Sequence, residues 1–183
     1  MLPRPDGMGP RSQAPTLRSD PDASGMADAA AASRKAMILL VPLDGSAASR
    51  RALDYALELA AADPGARLIL LNVQIPDDLG LWDARARGDD HRLDAALRSQ
   101  EVLSRPFKAC EERHVSCETR AEYGEPVAET IVRVAREIGA DQIVMGARGL
   151  GRLRGLILGS VTTQVVHLAE IPVTLVKASP QRP

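Results

Sequence analysis

Aromatic side chains are scarce in this chain: Tyr55, Trp82, Phe107 and Tyr123 are the only four among 183 residues. So few rings exclude the stacking platforms on which single-stranded nucleic acids are bound. An excess of charge of one sign is lacking too. The formal net charge of −1 leaves no global field to draw the chain toward nucleic acid or an anionic membrane. Long apolar runs are also missing; Met37–Leu43 (MILLVPL) is far too short to span a bilayer and ends in Asp44-Gly45. No basic, apolar and cleavage segments line up before it as a signal peptide requires. The expected location is therefore the cytoplasm. Cysteine is limited to Cys110 and Cys117, without C-x-x-C spacing, and the pair reads as buried free thiols in a reducing compartment. His91, His114 and His167 fall on separate elements, with no metal-ligand spacing.

What is present, 45% hydrophobic and 26% charged residues, suits one globular domain plus a tail. Residues 1–35 are rich in Pro, Ser, Gly, Asp, Arg and Ala without apolar periodicity, and read as a disordered extension. From residue 36 strand and helix alternate. MILLVPL reads as a strand buried on both faces. Ser46 can cap a helix to about Ala62, with Leu53, Ala56, Leu57 and Ala60 on one face, stopped by Asp63-Pro64-Gly65. Leu68–Val73 is a second strand. Ile75 to about Asp90 is polar and irregular, and reads as a connection.

A helix is expected over residues 91–113, kinked or divided at Pro106. Ser116–Glu122 alternates as a third strand. Gly124-Glu125-Pro126 opens a helix with Val127, Ile131, Val134, Ala135 and Ile138 on one stripe, closed by Gly139. Glu122, Glu125 and Glu129 are assigned to that strand's exit and that helix's first turn. A fourth strand over Gln142–Met145, a fourth helix over Ser160–Ala169 and a fifth strand over Val173–Val176 complete the series. Such alternation argues for a mostly parallel sheet covered on both faces.

Ligands of open α/β sheets bind beyond the carboxyl ends of strands, where the strand order reverses. Two loops carry suitable chemistry. Asp44-Gly45-Ser46 follows the first strand. After the fourth comes GARGLGRLRGLILGSV, with glycines at 146, 149 and 159 and Ser160 at a helix start. Bare backbone plus a helix N-terminus makes an anion cradle, with a phosphate chain as the obvious guest. It is neither a Walker A loop nor the dinucleotide fingerprint. Arg148, Arg152 and Arg154 sit between the glycines, as phosphate partners or as a solvated loop. Ser160 could equally be an N-cap, and Asp44 could bond its own turn. Alternation alone does not make strands one and four neighbours.

VPLDGSAASRRALDYALELA, LLNV and QIVMGARGLGRLRGLILGSVTTQVVHLAEIPVTLV together resemble the universal stress protein family from about residue 36 to 178. Its nucleotide-binding members carry G-x2-G-x9-G-[ST], present here as Gly146, Gly149, Gly159 and Ser160. The resemblance implies an α/β three-layer sandwich, Rossmann-like, with a five-stranded parallel sheet of order 3-2-1-4-5 and helices on both faces. It also implies a stress-response regulator that binds adenine nucleotide, ATP (or AMP or ADP) with Mg or Mn, and a homodimer formed through the last strand. Carried over, Gly146, Gly149, Gly159 and Ser160 would contact ribose and phosphates, with Arg148 nearby and Val161 and Thr162 continuing the helix N-terminus. Asp44 would lie near base, ribose or metal, and Val73 would offer backbone to the adenine. Members often carry histidine before that valine; here it is Asn72. No paired carboxylates or nucleophile–base pair stands out, so catalysis is expected to be absent or a slow ATPase or autophosphorylation. The alternative is a nucleotide-independent interaction module of the same fold. An ATP-pyrophosphatase-type ligase is disfavoured, because Asp44-Gly45-Ser46 is not an SGG-type loop.

Overall fold

The computed structural model describes residues 35–75, 88–124, 126–148 and 158–177. The expectations for residues 1–34, for most of the 75–90 connection, for Glu125, and for the tail over 179–183 lie outside the described residues. The elements run β1 (Ile38–Pro42), α1 (Ala47–Ala62), β2 (Arg67–Gln74), α2 (Gly88–Glu112), β3 (Ser116–Tyr123), α3 (Val127–Glu137), β4 (Gln142–Gly146), α4 (Ser160–Leu168) and β5 (Val173–Val176). All four pairings are parallel and the sheet order is β3-β2-β1-β4-β5. The family resemblance gave this order; alternation alone did not.

Two-residue alternation along each central strand sends neighbours to opposite faces. Leu39 and Val41, Leu68 and Leu70, and Val144 pack with Leu53, Ala56 and Leu57 of α1 and with Leu103 and Cys110 of α2. Leu40, Ile69 and Leu71, and Ile143 and Met145 pack with Ile131, Val134 and Ala135 of α3 and Val165 of α4. Two cores sandwich one sheet. Each fully buried Leu or Ile contributes about 1.5–3 kcal/mol by leaving water, so strands apolar on both faces hold the layers together. β3 lies at a sheet edge with no buried residue, most of its positions exposed, which explains its alternating, charged sequence.

Helix ends follow local chemistry. Ser46 caps α1 by accepting the Ser49 N–H at 3.1 Å. At the end of α3, Gly139 takes a left-handed φ of 62°, and the Gly139 and Ala140 N–H groups return to Arg136 and Ala135, a Schellman closure that satisfies terminal carbonyls. Pro106 does not divide α2, which is one helix of 25 residues starting at Gly88, earlier than expected. A proline removes only its own N–H bond and crowds one preceding carbonyl; the long stretch of α2 before the proline is anchored by Ala95 and Ser99, and the shorter stretch after it by Cys110.

At the β3–α3 corner, Arg120 and Arg133 each pair with both Glu122 and Glu137. Burial works against the Glu122 charge, but the Arg133 and Arg120 guanidiniums outweigh it and hold its carboxyl below the usual carboxylate range. Glu122 thus fastens the exit of β3 to α3. Among the described residues no helix is long and apolar enough to cross a membrane.

Candidate functional site

β1 and β4 are neighbours, so the loops leaving their carboxyl ends open on one cleft. On the β1 side the chain turns sharply. The Ser46 N–H donates to Asp44 Oδ1 at 2.9 Å, and Gly45 has φ 79°. Asp44 therefore does bond its own turn with one oxygen, as Asp-Gly pairs often do. Arg50 donates to the Gly45 carbonyl and braces the turn from α1.

On the β4 side, Gly146 is the last strand residue rather than the first of the loop. Its role is visible in packing. A Cβ built there would stand 2.8 Å from the Ala48 carbonyl carbon, 2.9 Å from Ala48 Cβ and 2.9 Å from the Ser49 nitrogen. The N-terminus of α1 therefore rests directly on bare backbone. Gly149, with Arg152 and Arg154, lies outside the described residues.

α4 is pinned where the chain returns. The Gly159 N–H donates to the Ala147 carbonyl at 2.9 Å, and the buried Thr162 hydroxyl donates to the Gly146 carbonyl at 3.1 Å. Ser160 is not the N-cap. Gly159 holds that position, with no side-chain cap bond, and Ser160 is the first helical residue, exposed. A glycine cap supplies no side-chain acceptor for the first-turn N–H groups, so the positive end of α4 meets the cleft without one.

The cleft encloses about 650 Å³. Asp44, Val73, Gly146, Arg148, Gly159, Ser160, Val161 and Thr162 all line it. Its two faces differ. Leu71 and Val73 from β2 with Ile75 just beyond it, Val127 and Ile131 from α3, and Met145 form an apolar wall, whereas residues 158–164 bring Gly159 and the hydroxyl-bearing Ser160, Thr162 and Thr163 to the rim beside Leu158, Val161 and Gln164. Asp44 and the exposed Arg148 are the only charged residues on the lining among the described residues, and they carry opposite signs. Apart from Val73, the apolar wall was read from sequence only as core, since Val127 and Ile131 sit on the same stripe as fully buried Val134. Nothing in periodicity separates a residue facing a core from one facing a cavity.

Asn72 is absent from the lining. Alternation places it with Leu68 and Leu70 on the α1–α2 face, 3% exposed. There its amide donates to the Leu43 carbonyl at 2.6 Å, and its oxygen accepts from Ser99 Oγ at 2.8 Å and Gln74 Nε2 at 2.7 Å. The departure from histidine thus falls behind the cleft, on the opposite face from Leu71 and Val73. Among the described residues no cluster of three His, Cys, Asp or Glu is placed to hold a metal.

Comparison with known proteins gives one consistent result. The family model described as the universal stress protein family matches residues 36–177. Universal stress protein YxiE of Bacillus subtilis is 32% identical over 148 residues, covering 76% of this chain and 97% of that protein. A universal stress protein family structure from Burkholderia pseudomallei is 36% identical with a TM-score of 0.58, over 77% of this chain and 96% of its own. A universal stress protein solved in complex with cAMP is 27% identical with a TM-score of 0.56, over 80% of this chain and 100% of its own.

Proposed function

We propose that this chain, which belongs to the universal stress protein family, binds an adenine nucleotide in the cleft between the exits of β1 and β4. The observation that carries the reading is the two-sided lining of one cavity. An apolar wall suits a purine base, and a rim at an uncapped helix N-terminus suits an anion. The cAMP complex of a relative with the same architecture supports the same ligand class. The base would lie against Val73, Val127 and Ile131, with Val73 offering backbone to its edge. Phosphates would meet the backbone of Gly159, Ser160, Val161 and Thr162, close to Gly146, and the family resemblance adds Gly149 as a further contact. Arg148 would neutralise the outer phosphates, and so favour ATP over AMP.

Magnesium or manganese would fit as a nucleotide-borne ion. Such cations are commonly held by one or two carboxylates plus substrate phosphates, and Asp44 supplies one carboxylate on the lining. Titration calorimetry with ATP and with AMP, each with and without magnesium, checks the reading. Saturable binding by the parent, with Arg148→Ala weakening ATP more than AMP, is the expected result. Absence of heat at millimolar nucleotide leaves only the nucleotide-independent module.

The same reading has the protein act as a homodimer, a stress-response regulator working through partners. Supporting it, β5 forms a sheet edge whose four residues are all half-buried, Val173, Leu175 and Val176 among them. An apolar edge strand invites pairing with another chain. Sedimentation at tens of micromolar should show a dimer, and a purely monomeric profile removes this part of the proposal.

A further inference from the structure

The two cysteines, seven positions apart in sequence, meet at the corner where α2 gives way to β3. α2 closes in a Schellman turn built on Cys110. The Val115 N–H donates to the Cys110 carbonyl at 3.0 Å and the His114 N–H to that of Glu111 at 3.0 Å. His114 takes the left-handed φ of 55° that this closure needs. The reversal sends the chain back along its own helix. Two residues past Val115, strand alternation puts Cys117 on the same side, and both Val115 and Cys117 pack against the cluster that contains Cys110. The two thiols are near enough for each to perturb the other's titration. Both are free, Cys110 fully buried and Cys117 half-buried.

We propose that this corner is an oxidative modification site at which a hydroperoxide converts Cys110 and Cys117 into a reversible intramolecular disulfide. The roles are unequal. Cys117 is the sulfur an oxidant can reach, because it is only half-buried. Cys110 has no exposed surface and acts only on its neighbour. In the first step the Cys117 thiolate attacks one peroxide oxygen. The O–O bond breaks, an alcohol or water leaves, and Cys117 becomes a sulfenic acid. In the second, the Cys110 sulfur attacks the Cys117 sulfur. The S–O bond breaks, and the departing hydroxide leaves as water with the Cys110 proton. Two thiols give up two electrons and the peroxide takes them.

Burial, and then the neighbouring Cys117 thiol, push the Cys110 thiol up to about 12, and burial raises Cys117 as well. Thiolate is therefore scarce near neutral pH and the first step is slow. Sustained oxidant is needed, and a thiol reductant restores the pair. The site lies far from the cleft along the sheet. Cys117 pairs with Leu68 near the amino end of β2, whereas the cleft opens at the carboxyl ends. Nothing in this inference depends on what the cleft binds.

The test uses the reduced full chain, exposed to hydrogen peroxide, denatured in N-ethylmaleimide and weighed intact. A monomer two hydrogens lighter and without maleimide is expected. Trypsin should release Ala109–Arg113 joined to His114–Arg120, and dithiothreitol should separate them. Cys117→Ser should leave Cys110 unmodified at the same dose, whereas Cys110→Ser should carry Cys117 on to sulfinic acid. Two thiols still alkylated after prolonged peroxide would overturn the proposal. So would Cys117 sulfinic acid beside a free Cys110 in the parent, or a disulfide between two chains.

Discussion

Gly146→Ala is expected to lower the melting temperature by roughly 2–12 °C, because overpacking costs about 1–3 kcal/mol and each kcal/mol moves a domain of this size by about 2–4 °C. The added methyl would collide with the Ala48 carbonyl carbon, Ala48 Cβ and the Ser49 nitrogen, all within 2.9 Å. Two of these atoms are backbone, in the first turn of α1, so no side-chain rotation relieves the contact. Either α1 lifts from β4 or the end of β4 shifts. Lifting α1 disturbs Ser46, whose hydroxyl holds the Ser49 N–H, and with it the Asp44 turn at the cleft. Shifting β4 disturbs the Gly146 and Ala147 carbonyls that pin α4. Both routes deform the proposed nucleotide site, so affinity should fall together with stability. Scanning calorimetry beside nucleotide titration decides between the glycine's two meanings. A melting temperature equal to the parent's, with nucleotide binding lost, makes Gly146 a ligand contact and removes the packing account.

That distinction marks where the sequence was legible. The glycines at 146 and 159 announced bare backbone, but not what approaches it. At Gly146 the neighbour is α1; at Gly159 the backbone N–H goes to Ala147, and the residue lines the cleft. β1, β2 and β4 were readable because strands buried on both faces are written as apolar runs. β3 was readable for the opposite reason, since an edge strand can carry alternating charge. The β1–β4 adjacency joins residues about a hundred positions apart, such as Leu39 and Gln142. No local period encodes such a pairing, and only the resemblance anticipated it.

The polar rim of the cleft was legible through residue types that are costly elsewhere: glycine, a hydroxyl at a helix start, an Asp-Gly turn. Its apolar wall, Val73 apart, was not, for Ile131 and Met145 look the same whether they meet a neighbour or a ligand. The cysteine pair was also out of reach. Only the Schellman turn with a left-handed His114 brings Cys117 back to Cys110, and a histidine there does not announce that backbone as glycine would.

Asn72→Ala carries the second large expected effect, a loss of about 2–5 kcal/mol, because buried polar groups stripped of partners cost about 1–3 kcal/mol each. Three bonds disappear together: to the Leu43 carbonyl, the Ser99 hydroxyl and the Gln74 amide. Ser99 is 1% exposed and Leu43 is 4% exposed, so water cannot replace the lost amide without opening the layer between β2 and α2. Among the described residues every buried side-chain polar atom has a partner, which makes this a fully satisfied network and removal of its hub expensive. Asn72→Asp separates the donor from the acceptors. It keeps two oxygens for Ser99 and Gln74 but sets a carboxylate against the Leu43 carbonyl, so it should be no milder than alanine. Ser99→Ala removes one bond and should cost far less than either. Leu43 directly precedes Asp44, and its carbonyl is what Asn72 holds. Releasing it loosens the exit of β1, and under the nucleotide reading weakens affinity from behind the cleft. Urea denaturation of the three variants measures the first effect, and titration the second. If Asn72→Ala unfolds at the parent's urea midpoint, the hub described here contributes nothing to stability and its hold on Asp44 falls with it.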